Sequence, residues 1–209
     1  MLRVIFLGNG SSHSLKAEQY LAKSNCKIII SQNDESQLNL YPNNYDIGFS
    51  FLYPYLVPSP EIKKATWVNF HPAPLPEYPG RNVAYHAIMN NEDRFGGTIH
   101  YMDEKFDSGN IIEVKYYKIN ESSTAYDIYQ KSCDAILKLI KKYVPLFLSE
   151  QKISSTAQSH DKYYKKSKID DFIKISDALS KEIRAKTFPP FYPKIKIGDK
   201  IFKIVSESE

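Results

Sequence analysis

Two cysteines are all that the 209 residues carry, and Cys26 and Cys133 lie far apart without forming a metal-spaced pair. That speaks against a disulfide-stapled framework and for a reduced setting with inert thiols. Charge of one sign is missing as well: 28 Lys and Arg face 24 Asp and Glu, a net charge of +4, and the lysines are scattered. Without a basic stripe a nucleic-acid backbone is a poor partner, and the mild positive balance favours an anionic small ligand. No apolar run approaches membrane-spanning length. Met1-Leu2-Arg3-Val4 opens a strand pattern rather than the longer apolar region and small-residue cleavage site of a signal peptide. Repeats and low-complexity segments are also absent. The expectation is a soluble, cytoplasmic protein with no membrane segment and no nucleic-acid partner.

The chain is long enough for one good core with a small appendage, and two full domains are not expected. Sixteen tyrosines and eleven phenylalanines mark a folded globular protein. Its centre is residues 66–80, TWVNFHPAPLPEYPG. The apolar, β-branched and aromatic start, residues 66–70, reads as a buried strand. Prolines at 72, 74, 76 and 79, closed by Gly80, then forbid helix and sheet, so the strand runs into a stiff loop. Asn69 and His71 therefore sit at the carboxyl end of a strand, where α/β proteins keep their chemistry. A second stretch, HYMDEKFDSGNII from His100, repeats the logic: strand 97–102, an Asp107-Ser108-Gly109 turn, and an apolar run 111–114.

Before this centre, residues 2–7 form a continuous apolar strand, and Gly8-Asn9-Gly10 turns into a helix over 14–23. The third glycine of a dinucleotide loop is missing and no acidic residue closes the next strand, 27–30, so a plain strand-to-helix turn is the reading. Residues 31–45 read as a loop or weak helix, and 46–51 as a strand. The apolar, proline-stiffened loop 52–58 packs on the core or walls a ligand. After the centre come a short helix over 83–90, strands 97–102 and 111–118, and a long helix over 124–148 with Ile128, Ala135, Leu139 and Val144 on one stripe. Residues 151–168 read as a polar linker, 177–187 as a helix, and 194–197 with 201–205 as a hairpin with one apolar face. Strands alternating with helices make residues 1–150 one α/β body, and 151–209 a linker, helix and β-hairpin extension.

Asn and His two residues apart on an extended strand point to the same side. A nearby aspartate orients an imidazole and makes it a better proton acceptor. An asparagine amide can donate to a developing oxyanion, a role worth ~3 kcal/mol of transition-state stabilisation. No nucleophilic Ser or Cys stands beside them, and His71, His100 and Asp107 lack the spacing of a zinc site, so no metal is expected. The set suits direct acyl transfer between two bound substrates with one proton to move.

Asn69-Phe70-His71-Pro72-Ala73-Pro74-Leu75-Pro76, then Tyr78-Pro79-Gly80 and, further on, Asp107-Ser108-Gly109, resemble the N10-formyltetrahydrofolate-dependent formyltransferase family. That family includes glycinamide ribonucleotide, methionyl-tRNA and nucleotide-sugar N-formyltransferases. The resemblance implies a Rossmann-like formyltransferase sheet flanked by helices. It implies Asn69, His71 and Asp107 as the catalytic set, and N10-formyltetrahydrofolate as co-substrate. The folate contacts it implies are Tyr53, Tyr55, Leu56 and Val57 on one loop, and His100, Met102, Asp103 and Phe106 on the other. His100 can equally be read as a satisfied strand histidine, and His86 as structural. Arg81, Asn82 and Tyr85 are the candidates for holding the acceptor, with an exposed arginine the plainer reading of Arg81. The chain lacks the large C-terminal barrel of methionyl-tRNA formyltransferases. Its Pro/aromatic run 188–193 and hairpin resemble the ending of the sugar formyltransferases, so a nucleotide-linked amino sugar is the expected acceptor and a homodimer the expected assembly. Surface polysaccharide synthesis, such as that of O-antigen, would be the setting. Another small amine such as glycinamide ribonucleotide, or a non-catalytic folate- or nucleotide-binding module, are the alternatives.

Overall fold

The computed structural model describes residues 1–32, 42, 44–160, 162–165, 172–173, 179–197 and 200–205. Strand β1 (Leu2–Leu7) sends Val4 and Phe6 into one core and Ile5 and Leu7 into another, on opposite faces of the sheet. Burial on both faces explains why it reads as an unbroken apolar run rather than an alternating one. Helix α1 (Ser12–Ala22) starts on Ser11, whose side chain accepts from the Ser14 amide, and returns the chain to β2 (Cys26–Gln32), parallel to β1. Most of the segment read as a loop over 31–45 lies outside the described residues.

Strand β3 (Ile47–Phe51) then joins the other side of β1, so the chain reverses its winding between β1 and β3. Helix α2 (Ser59–Lys64) was not expected from the sequence; it buries no residue and so offers no apolar stripe to read. Strand β4 (Thr66–His71) runs parallel to β3, while β5 (Arg94–Tyr101) and β6 (Ile111–Lys118) continue the sheet antiparallel. The six-stranded order is β2-β1-β3-β4-β5-β6. This is the α/β architecture expected, with an antiparallel edge on a parallel sheet.

Helix α3 (Val83–Met89) and the long α4 (Ala125–Leu148) bracket the site. Thr124 and Asp127 close a reciprocal capping box at the start of α4. The stripe Ile128, Ala135, Leu139 and Val144 is buried as its spacing indicates. Helix α4 lies directly on β5 because Gly97 has no side chain: a Cβ there would fall within 2.5 Å of Ile136 Cγ2. Both thiols are free; burial pushes the Cys133 thiol up to about 12 and raises that of Cys26, so each stays protonated and a poor nucleophile.

The segment after α4 does not hang free as a linker would. Thr156 exchanges two main-chain hydrogen bonds with Ile111, and the Tyr164 main chain bonds Pro79 and Arg81. Helix α5 (Leu179–Lys186) buries Ala185 against α3 and α4. The chain closes in a small sheet in which β7 (Phe172–Ile173) lies parallel to β8 (Lys194–Ile197), which pairs antiparallel with β9 (Lys200–Lys203). The residues that join the two strands of the expected hairpin, 198–199, lie outside the described residues. No helix among the described residues is long and apolar enough to cross a membrane.

Gly97→Val should therefore wedge α4 off the sheet. Its urea midpoint should fall by the equivalent of roughly 1–3 kcal/mol. An unchanged midpoint would show that the helix can shift at no cost.

Candidate active site

Register decides the first contacts. On β4, Asn69 lies opposite His100 and His71 opposite Thr98 across the antiparallel pair with β5. Thr98, fully buried, folds the proline loop back over the strand end: its hydroxyl donates to the Ala73 carbonyl at 2.6 Å and accepts from the Leu75 amide at 3.0 Å. The loop then brings the Tyr78 carbonyl to His71, whose Nε2–H donates to it at 2.9 Å. A carbonyl can only accept, so the Nε2 proton is fixed and Nδ1 carries the lone pair of the neutral ring.

Asp107 stands on that side. Its Oδ1 is 3.4 Å from His71 Nδ1 and 3.9 Å from His100 Nε2. Its Oδ2 accepts from the Gly80 amide at 2.9 Å. The carboxylate is 8% exposed, and Asp107 is held in the left-handed region at φ 56°. Such backbone in a non-glycine residue persists only where its surroundings hold it in place. Gly80 is itself at φ 110°, and a Cβ there would overlap the Tyr164 main chain.

The second histidine plays a different part. His100 Nδ1–H donates to the Tyr101 carbonyl at 2.7 Å, and its Nε2 accepts from Asn69 Nδ2 at 3.0 Å. Both bonds are made by one neutral tautomer. Burial is what keeps the ring neutral: desolvation lowers its pKa to about 4, outweighing the opposing pull of Asp107. One amide hydrogen of Asn69 is thereby committed, and the other is left for the cavity.

A cavity of about 400 Å³ opens over this cluster. Asn69, His71, His100 and Asp107 all line it, so the structure brings the four together as the motifs implied. Of the expected folate contacts, Tyr53, Tyr55 and Leu56 line one wall and Met102, Asp103 and Phe106 the other. Val57 does not line it; it is 1% exposed and packs beneath the loop with Tyr53 and Trp67, because the loop is anchored to the core by alternate residues. Asp103 is held by the Ser108 hydroxyl, and Ser108 Oγ also donates to the Lys105 carbonyl at 3.0 Å. The expected acceptor residues Arg81, Asn82 and Tyr85 line the cavity as well. Arg81 Nη2 donates to the Pro54 carbonyl at 2.9 Å, tying the two loops together. Asn82, at φ 55°, starts α3 without capping it through its side chain. His86 packs against Tyr164, with burial lowering its pKa.

Residues not singled out from the sequence complete the lining. Ser50 is the penultimate residue of β3; Tyr129 stands on the first turns of α4, with Phe188 against it at a ring distance of 5.2 Å; Tyr163 comes from the segment read as a linker. Phe188 belonged to an aromatic run already noted, but its neighbour Tyr129 was hidden in an amphipathic helix. Among the described residues no group of three or more His, Cys, Asp or Glu could hold a metal ion.

Residues 31–144 match the family described as Formyl transferase. Over 171 residues the chain is 30% identical to a GDP-perosamine N-formyltransferase of Brucella melitensis, a stretch covering 77% of this chain and 64% of that one. The chain thus spans less than two thirds of the length of the relatives it matches. In fold it is similar to a 4-N formyltransferase from Francisella tularensis, with a TM-score of 0.84, 20% identity and coverage of 99% and 98% of the two chains. An N-formyltransferase from Helicobacter canadensis, solved with folinic acid and dTDP-3-aminofucose, gives 0.78 at 22% identity, covering 95% and 85%.

The buried neutral His100 has a consequence for stability. In the unfolded chain it titrates near its ordinary 6.5, in the folded chain at about 4. As pH falls below 6.5 the unfolded state takes up the proton first, so this contribution, present above 6.5, is lost towards pH 4, up to roughly 3 kcal/mol. Chemical denaturation at pH 7 and pH 4.5 should show a smaller acid destabilisation for His100→Gln than for the natural chain; equal losses in both would mean that His100 takes no part.

Proposed function

This chain belongs to the formyl transferase family, and we propose that it transfers a formyl group from N10-formyltetrahydrofolate to the amine of a nucleotide-linked amino sugar. The observation that carries the reading is the convergence of Asn69, His71 and Asp107 on one cavity between the 53–56 loop and the 102–106 loop. The amine nitrogen attacks the formyl carbon, forming the new C–N bond, and the carbonyl oxygen becomes an oxyanion. The free N–H of Asn69 donates to that oxygen. His71 Nδ1, its lone pair set by the Tyr78 carbonyl, accepts the proton that the amine sheds. The imidazolium so formed faces Asp107. The bond from carbon to N10 of the folate then breaks, and the same proton passes to the leaving nitrogen.

The acceptor class rests on the aromatic lining of the cavity. Tyr85, Tyr129 and Phe188 add aromatic rings to its lining, surfaces on which a nucleotide base can stack, and Phe188 comes from the C-terminal extension. The relatives' names point the same way: GDP-perosamine for one, dTDP-3-aminofucose bound to another. A dTDP-linked sugar, 4-amino-4,6-dideoxyglucose or its 3-amino isomer, formylated in the cytoplasm for surface polysaccharide, is the specific substrate we assign. Glycinamide ribonucleotide and other small amines are the rivals.

In this reading the chain works as a twofold dimer through its C-terminal extension, where Phe191, Ile201 and Val205 are exposed. A small sheet of short strands with apolar residues exposed gains from a partner surface.

His71→Asn and Asp107→Asn should each lower kcat by about two orders of magnitude or more while folate binding, followed by fluorescence titration, survives. Near-normal turnover in either would overturn the roles. A panel of amines with one folate donor, read by mass spectrometry for a gained formyl unit, should single out an amino-sugar nucleotide; efficient turnover of glycinamide ribonucleotide alone would favour the rival. Sedimentation should show a dimer that Ile201→Glu with Val205→Glu dissociates; a double variant that remained dimeric would move the interface elsewhere.

A further inference from the structure

Residues 151–160 and 162–165 follow α4, and their contacts with the site are specific. Thr156 fastens the segment to Ile111 through main-chain hydrogen bonds of 2.8 and 2.9 Å. Two residues on, Gln158 Nε2 donates to the Asp107 carbonyl at 3.1 Å and to the Gly109 carbonyl at 2.6 Å. Its Oε1, although buried, makes no hydrogen bond among the described residues, so those two carbonyls alone orient the amide. They span the turn in which Asp107 is held at φ 56°.

Tyr164 reaches the opposite support. Its amide donates to the Pro79 carbonyl at 2.9 Å and its carbonyl accepts from the Arg81 amide at 2.8 Å. Gly80, between those two, gives its own amide to the Asp107 carboxylate. The Tyr164 ring stacks on Tyr78 at 5.1 Å with an interplanar angle of 10°, and Tyr78 supplies the carbonyl that holds His71 Nε2–H. Between them Tyr163 lines the cavity.

We propose that residues 156–160 and 162–164 act as a positioning strap for the catalytic pair, with Gln158 as the residue that fixes Asp107 and Tyr164 as the one that fixes the 78–81 turn. The inference rests on the catalytic reading of His71 and Asp107 given above. Gln158 touches neither substrate nor a reacting atom; it acts through the Asp107 main chain. A left-handed non-glycine turn relaxes when its tether is lost, and a displacement of 1 Å at a reacting group is enough to cost ~100-fold in rate. The amide must face two acceptors, so the isosteric Gln158→Glu sets carboxylate oxygen against carbonyl oxygen, while Gln158→Met removes both hydrogen bonds at nearly constant volume.

The test compares the natural chain, Gln158→Glu, Gln158→Met, Asp107→Asn and the double variant Asp107→Asn/Gln158→Met. The assay uses N10-formyltetrahydrofolate and dTDP-4-amino-4,6-dideoxyglucose, with circular dichroism to confirm folding. Either Gln158 variant should lose roughly 10- to 100-fold in kcat, Glu more than Met, with both KM values within about threefold. Because Gln158 acts through Asp107, the double variant should be no slower than Asp107→Asn to within about twofold. A second readout needs no turnover: the imidazole NMR signals of His71 should move in Gln158→Met in the direction they move in Asp107→Asn. Unmoved His71 signals in a folded Gln158→Met, or additive losses in the double variant, would sink the strap. Normal turnover in Asp107→Asn would instead sink the catalytic reading beneath it, so the two failures are distinguishable. Should Gln158→Glu not fold, Gln158→Met carries both measurements.

Discussion

Strand β4 is gripped parallel by β3 on one side and antiparallel by β5 on the other, and the change of direction at this strand organises the site. Parallel neighbours point the carboxyl ends of β1, β3 and β4 the same way, which creates the crevice. The antiparallel neighbour sends its own chain out and back beside that crevice, so the turn after β5 returns Asp107 to His71. Asn69 meets His100, and His71 meets Thr98, by register alone. A slip of one residue would turn all four side chains to the opposite face.

Burying so many polar groups together is tolerable because nearly every one is committed to a partner. The Asp107 carboxylate has the Gly80 amide and faces an imidazole; His100 is neutral and satisfied at both nitrogens; Thr98 both donates and accepts. A buried charge without such partners would shift its proton equilibrium instead of staying ionised. Among the described residues, His71 Nδ1, with the Asp107 carboxylate 3.4 Å away, and one amide hydrogen of Asn69 make no hydrogen bond. These are the two functions that acyl transfer to an amine requires, a proton acceptor and an oxyanion donor.

The C-terminal part is integrated into this body. Ala185 is fully buried between α3 and α4, Arg184 donates to the Ser123 carbonyl at 3.2 Å, and Phe188 packs edge-on to Tyr126 at 5.6 Å. Phe188 also lines the cavity, and Gln158 bonds the main chain of the turn that carries Asp107, so both contributions come from residues after 150.

Much of this was legible in the residues themselves. Strands β1, β3 and β4 announce themselves by apolar runs, the proline loop by its missing amide donors, and α4 by a stripe repeating every three to four residues; these signals are local, because backbone sterics and side-chain spacing act within a few residues. The pairing of Asn69 and His71 with Asp107 was legible only through a motif shared with a family, since nothing between Gly80 and Asp107 measures their separation in space. Helix α2 escaped because it buries nothing, Val57 because a loop's alternation between core and cavity has no periodic signature, and the segment 151–165 because a polar stretch reads as a linker whether or not it docks. Gln158 bonds main-chain carbonyls, which every residue possesses, so no partner in the sequence marks its role. Sequence by itself determined the main strands, the stiff loop and which groups, Asn69, His71 and Asp107, are the candidates for the chemistry. Tertiary structure alone decided which nitrogen of His71 is free, why His100 stays neutral and what holds Asp107 in place, because those depend on burial and on main-chain hydrogen bonds between segments distant in the chain.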